Sequence, residues 1–140
     1  MRMDADRCRE HLAAARHGAF GTVHADRGID AVPVVFVVDG EQIVIPIDTV
    51  KPKQGARLQR LRNLEADHRA VLLVDHYDDD WSRLWWVRVH AHAREAEPTA
   101  TQLERLAAAF PAYAAPGSVA SVIVLVPYEI TGWAAGPMDP

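Results

Sequence analysis

The sequence predicts a mainly β, α+β fold: a small antiparallel β-barrel of six strands with helices covering its ends. Three observations predict it. Two almost unbroken apolar runs, VPVVFVV at 32–38 and IVIPI at 43–47, are joined across Asp39-Gly40, the clearest hairpin signal in the chain. Residues 84–94 alternate, with Trp86, Arg88, His90 and His92 on one side and Trp85, Val87, Val89 and Ala91 on the other. Helical spacing is confined to three short stretches, one ahead of the strands and two between them.

Taken in order, residues 4–17 read as the first helix. Asp4 or Asp6 can cap it, Cys8, Leu12 and Ala15 recur at helical spacing, and Gly18 and Gly21 flank its exit. Strands follow at 19–25 and 29–38, separated by the turn sequence Asp26-Arg27-Gly28, and a third lies at 42–47. Antiparallel runs this apolar are covered on both faces, by a closed barrel, a packed helix or a partner subunit. Pro33 and Pro46 lack an N–H and imply edges, bulges or places where a ligand replaces the ladder. Residues 53–66 form the second helix, with Leu58, Leu61 and Leu64 able to pack inward. The fourth strand spans 69–77, a polar loop reaches 83, and the fifth strand is the alternating segment. Pro98 opens the third helix at its first turn; it runs to about Phe110 and ends before Pro111. The last strand, 121–126 and 128–133, bends around Pro127. The tail at about 135–140 is expected to be loose. With 140 residues, no repeat and no linker, the chain 1–140 reads as a single domain.

Composition narrows the function. Hydrophobic residues make up 49% of the chain, enough to fold without disulfides or metals. Cys8 is the only cysteine, so no internal disulfide forms and a reducing cytoplasm fits. A net charge of −4 argues against a general nucleic-acid binder. No apolar run is long enough to span a membrane, and the charged opening MRMDADRCRE is not a secretory signal.

Against that acidic background, positive charge gathers in one place. Lys51, Lys53, Arg57 and Arg60 follow the third strand with no adjacent carboxylate among 49–60. On a helix turning about 100° per residue, Lys53, Arg57 and Arg60 share one stripe. Lys51 and the hydroxyl of Thr49 stand just ahead. Helix N-terminal N–H groups add their own positive end, and together these make a phosphate site. Arg and Lys on a helix usually just face water. Here the cluster begins in a strand-exit turn, includes a hydroxyl donor, and follows apolar strands that could floor a flat ring.

The Lys51-Pro52-Lys53 turn, LQRLRNLEADHRAVLLVDHY from 58 to 77 and DDDWSRLWWVRV from 78 to 89 resemble the pyridoxamine 5′-phosphate oxidase-like split-barrel flavoproteins, and in particular their actinobacterial branch that uses the deazaflavin coenzyme F420. AFGTVHADRGIDAVPVVFVVDG at 19–40 matches the family's opening strands. The resemblance implies a six-stranded split barrel and a homodimer with the cofactor in a groove between subunits. It implies that Lys51 and Lys53 meet the phosphate with Thr49 and Arg57 beside them. Val34, Val35 and Ile47 would lie near the ring, and Trp86 would face the cofactor across the dimer. The function so implied is hydride transfer between F420 and an organic substrate. An FMN oxidase or reductase is the alternative, and a non-catalytic cofactor-binding dimer a further one. The chain departs from the family at Asp67-His68-Arg69, where a proline is frequent, and at Ala91, where a glycine is.

Other groups carry less. His90 and His92, with His76, lack a further zinc ligand. Asp75, Asp78, Asp79 and Asp80 lack the glycine and terminal Glu of a calcium loop and read as solvated, with Arg83 or Arg88 as partners for Asp78 and Asp79. The four tryptophans suit a core or an interface. No nucleophile triad, phosphate-binding Gly loop or paired acid–base motif is present, so no catalytic side chain is assigned and a cofactor would carry the chemistry. Tyr77 or a histidine is the candidate proton donor, and Trp81, Tyr113 and Trp133 are candidate substrate contacts.

Overall fold

The computed structural model describes residues 1–48 and 57–136. Its elements run α1 (Ala5–Ala14), β1 (His17–His24), β2 (Gly28–Val35), β3 (Val37–Asp39), β4 (Gln42–Asp48), α2 (Gln59–Ala66), β5 (Arg69–His76), β6 (Trp85–Ala96), α3 (Ala100–Ala109) and β7 (Val119–Ala134). Short 3-10 turns occupy Trp81–Arg83 and Pro111–Tyr113. The strands form one seven-stranded sheet in the order β2-β1-β5-β6-β7-β4-β3, antiparallel throughout. The sheet curls without closing. Its edges, β2 and β3, remain unpaired with each other, yet Val34 of β2 and Ile47 of β4 share one core. This is the split barrel with covering helices.

The strand number is seven rather than six because the run 29–38 breaks at Phe36. That residue leaves both ladders: its N–H bonds the Arg16 carbonyl at 3.0 Å, and its ring is fully buried. The preceding half pairs with β1 and the following half with β4, so the split of the barrel passes through this residue. A continuous apolar run cannot reveal such a break, because both halves bury the same residue types.

Local chemistry explains the remaining elements. The Asp4 carboxylate accepts the Arg7 N–H at 2.9 Å and caps α1, which buries Cys8 and Leu12. α1 ends at Ala14 rather than His17 because β1 takes His17 and Gly18 into its ladder. The helix lies directly on β7 at Gly132, where a Cβ would meet Cys8 Sγ at 2.6 Å and Met3 Cε at 2.8 Å. α3 carries a full capping box between Thr99 and Gln102, with Pro98 just outside the cap rather than inside the helix. Gly40 turns the β3–β4 hairpin with φ +60°, the conformation that favours glycine.

Both faces of β4 are covered, as its apolar run requires. Ile43, Ile45 and Ile47 enter the barrel core with Phe20, Leu72, Val87 and Val89. Val44 joins Val37, Val122, Val124 and Leu106 of α3 in a second core outside the barrel. The prolines sit where an N–H is dispensable. Pro33 is on edge strand β2, Pro46 lies beyond the end of short β3, and Pro127 marks a bulge where the β6–β7 register shifts between His90 and Ala91. No helix among the described residues is long and apolar enough to cross a membrane.

Candidate functional site

Of the cations at which the sequence pointed, Arg57 and Arg60 fall among the described residues, just before and at the start of α2. α2 starts at Gln59, with Leu58 as its flanking residue and Leu61 and Leu64 buried beneath it. That start places Arg60 in the first turn, half-buried. Its Nε is buried and makes no hydrogen bond among the described residues. Burial pushes the Arg60 guanidinium down, and only Asp48 opposes that push. The Asp48 carboxylate also accepts the Tyr113 hydroxyl at 2.6 Å, and burial outweighs the effect of Asp48 on Arg60. Arg60 is therefore an incompletely compensated cation, and a guanidinium stays charged in that condition. It lines a cleft of about 280 Å³ together with Thr22, Arg27, Asp30, Val32 and Gln59.

The cleft has a built wall. Asn63 of α2, buried, donates to Thr22 Oγ1 and to Asp30 Oδ2, both at 2.9 Å, and accepts from Gln59 Nε2 at 2.8 Å. Arg27 grips Asp30 through two bonds, at 2.8 and 3.1 Å. Arg27 and Asp30 cancel one another, so the cleft keeps the charge of Arg60. A phosphate fits this donor set: a buried guanidinium N–H lacks an acceptor among the described residues, and guanidinium pairs with phosphate through parallel bonds.

Arg57 differs from the sequence expectation. It stands outside α2, and carboxylates beyond the 49–60 stretch neutralise it: Glu95 at 2.5 Å and Glu65 at 2.6 Å. Those partners, Glu95 first, raise its pKa, and Ser121 holds the second Glu95 oxygen at 2.6 Å. Arg57 thus ties α2 to β6 and β7. Thr49, Lys51 and Lys53 lie outside the described residues.

The other predicted positions are placed as follows. Val34 and Ile47 point into the barrel core, and Val35 is half-buried on β2. Trp86 is half-buried on the outer face of β6, with the Arg88 guanidinium 5.2 Å from its ring centre. Trp81 and Tyr77 are exposed at 68% and 74%. In the acidic loop, Asp78 lies 3.5 Å from His76 and Asp80 lies 3.9 Å from Arg83, so neither Asp78 nor Asp79 pairs with Arg83 or Arg88 among the described residues. The His92 and Tyr128 rings lie 4.9 Å apart, tilted by 33°.

Sequence reasoning missed a second cleft, of about 340 Å³, on the outer face of β5, β6 and β7. Leu73, Asp75, Tyr77, Trp85, Trp86, Arg88 and Trp133 line it. Trp86 stands opposite Trp133 on β7 and opposite Asp75 on β5. The alternation of β6 had already put Arg88 on the Trp86 side, and strand pairing supplies the rest.

The sequence matches the family model for pyridoxamine 5′-phosphate oxidase over residues 5–134. No curated protein matches it. Among solved structures, the chain is similar to an FAD-binding protein from Mycobacterium smegmatis at 18% identity, covering 94% of each chain with a TM-score of 0.60. It is similar to an FAD-binding protein from Mesorhizobium loti at 16% identity, covering 94% of this chain and 95% of that one, with a TM-score of 0.63. A conserved hypothetical protein from Mycobacterium tuberculosis matches 99% of this chain and 91% of its own at 15% identity and a TM-score of 0.71. At these identities the structural likeness is one of fold.

Proposed function

The chain belongs to the pyridoxamine 5′-phosphate oxidase family, and from that premise we propose that it is a flavin-binding oxidoreductase that grips the phosphorylated tail of its cofactor at Arg60. The observation that carries the reading is the Arg60 Nε, buried without an acceptor among the described residues, on a side chain that lines a cleft. A buried donor left unpaired costs roughly 1–3 kcal/mol, and a phosphate oxygen removes that cost. The FAD-binding proteins of similar fold support a flavin. Lys51 and Lys53, in the segment joining β4 to α2, add charge to the same anion. A bound flavin supplies the two-electron chemistry. The chain binds the tail, orients the ring and excludes water.

The likeness of 51–89 to the deazaflavin-using branch favours a second reading, coenzyme F420. It carries the same kind of tricyclic ring on a phosphorylated chain, and Arg60 would serve either tail.

The functional unit is a homodimer. The outer face of β5, β6 and β7 leaves Leu73 and Trp133 each 39% exposed, Val126 46% and Tyr128 55%. On that face His90 Nδ1 and Thr131 Oγ1 are buried without hydrogen-bond partners among the described residues. A second copy laid on this face would cover the apolar groups, offer partners to the polar ones and bring Trp86 toward a ring bound by the first.

Titration of the purified protein with FMN and with F420, followed by cofactor fluorescence, tests the reading. Micromolar binding of one cofactor is expected, weakened about tenfold or more by Arg60→Gln. Absence of binding to either cofactor, or an unchanged affinity in Arg60→Gln, overturns it. Tight binding without turnover of any acceptor would leave a cofactor-binding dimer in place of an enzyme.

A further inference from the structure

The start of α2 is held from outside the helix. The first N–H groups of a helix need partners from elsewhere, yet Leu58, at its flank, supplies no side-chain cap. Arg57, one residue earlier, reaches in two directions instead. Its Nε donates to Glu65, near the far end of α2, at 2.6 Å, and its Nη2 donates to Glu95 of β6 at 2.5 Å. Glu95 is itself fixed, because the Ser121 hydroxyl of β7 donates to its other carboxylate oxygen at 2.6 Å. A carboxylate that accepts at both oxygens is oriented, and a guanidinium bonded through two of its nitrogens is oriented with it. The paired strands β6 and β7 thus fix Arg57. Arg60 follows three residues later in the first turn of α2, so the place of its guanidinium depends on where that turn begins.

We propose that Glu95 is a positioning residue for the phosphate-binding guanidinium: through Arg57 it sets the start of α2, and with it the placing of Arg60 at its cleft. The inference rests on the flavin reading for the phosphate. Glu95 lines neither cleft described above, so its route to a ligand is indirect. Nor does it act through its charge. Among the described residues, Asp48 is the carboxylate whose charge bears on Arg60. What Glu95 supplies is place. Paired bonds from a guanidinium to a phosphate need close alignment, and a group so aligned depends on the contacts behind it.

Fluorescence titration of the whole protein with FMN and with riboflavin, which lacks the phosphate, tests the proposal. General loss of structure weakens both flavins together, whereas a misplaced Arg60 weakens FMN alone. Glu95→Gln is expected to lower FMN affinity about fivefold or more with riboflavin unchanged. Combined with Arg60→Gln, it should add no further loss, since both changes act at one contact. Ser121→Ala, which removes only the hydroxyl that orients Glu95, should show the same selective loss at smaller size, and serves where Glu95→Gln does not fold. An FMN-to-riboflavin ratio that Arg60→Gln lowers but Glu95→Gln leaves unchanged or raises overturns the positioning role and leaves the flavin reading intact, as do additive losses in the combined variant. A ratio unmoved by Arg60→Gln, or no FMN bound by the unaltered chain, overturns the flavin reading and this inference with it.

Discussion

Tyr113 and Asp48 show how one hydrogen bond sits beside a half-buried cation. Asp48 ends β4 within electrostatic reach of Arg60, and its carboxylate also accepts the Tyr113 hydroxyl at 2.6 Å. Burial first, and the Asp48 carboxylate second, push Tyr113 up to about 12. A tyrosine raised in the folded state stabilises it fully below its ordinary pKa of 10.0 and loses that contribution as pH rises through about 12. Tyr113→Phe is therefore expected to lower stability by about 1 kcal/mol at neutral pH, a modest figure because the bond is half open to water. Urea unfolding should show that gap closing between pH 10 and 12, and tyrosinate absorbance should lose its component near 12 in the variant. A gap that widened with pH would contradict the assignment. The same logic separates Arg57 from Arg60. Their side chains are chemically identical and three residues apart, yet Glu95 and Glu65 claim the first while the Nε of the second has no hydrogen-bond partner among the described residues.

At the scale of elements, α2 shows what sequence spacing can and cannot reveal. Leu58, Leu61 and Leu64 were legible as its inward face because the helical period is local, and the latter two are buried. Asn63, on the same buried side, was not legible. Its partners Thr22 and Asp30 lie 41 and 33 residues away, and only the folded sheet brings them together. The Glu95 partner of Arg57 was not legible for the same reason, being 38 residues distant. The helix start misled as well, because Arg57 precedes it and the expected stripe of cations loses that member. Asn63 fixes the distance between α2 and the β1–β2 hairpin, and with it the width of the Arg60 cleft. It is also the second largest cause, after Arg27, of the low pKa of Asp30. Asn63→Ala leaves the buried Thr22 hydroxyl without this donor and deprives Asp30 of a bond. It is expected to cost about 2–3 kcal/mol, read from the midpoint of chemical unfolding. A loss under about 0.5 kcal/mol would place it among surface substitutions and show that α2 is held by its leucines alone.

For the whole molecule, the barrel was readable because its strands follow simple rules. Period-2 alternation sorted β6 into a buried side, Val87, Val89 and Ala91, and an outer side. The unbroken apolar run of β4 announced two covered faces, and both are covered, one by the barrel core and one by α3. The outer face of β5, β6 and β7 is harder to read, since Leu73, Val126 and Trp133 stand beside Asp75, Arg88 and Glu129, and no helix covers them. Isolated apolar residues on a surface are ordinary. A group of them around two buried polar atoms without partners among the described residues, His90 Nδ1 and Thr131 Oγ1, calls for a cover. If that cover is a second copy, Leu73 lies near the centre of the buried area, because β5 and β6 occupy the middle of the seven-stranded order. Leu73→Asp would then place a charge where the copies meet while leaving the barrel interior untouched, as the residue is already 39% exposed. Sedimentation should show a dimer for the unaltered chain and a monomer for the variant, with cofactor affinity falling in step because the second wall of the groove is lost. The thermal midpoint should then depend on protein concentration for the unaltered chain and cease to do so in Leu73→Asp. A variant that still sediments as a dimer would move the interface to another face and detach Trp86 from the ring.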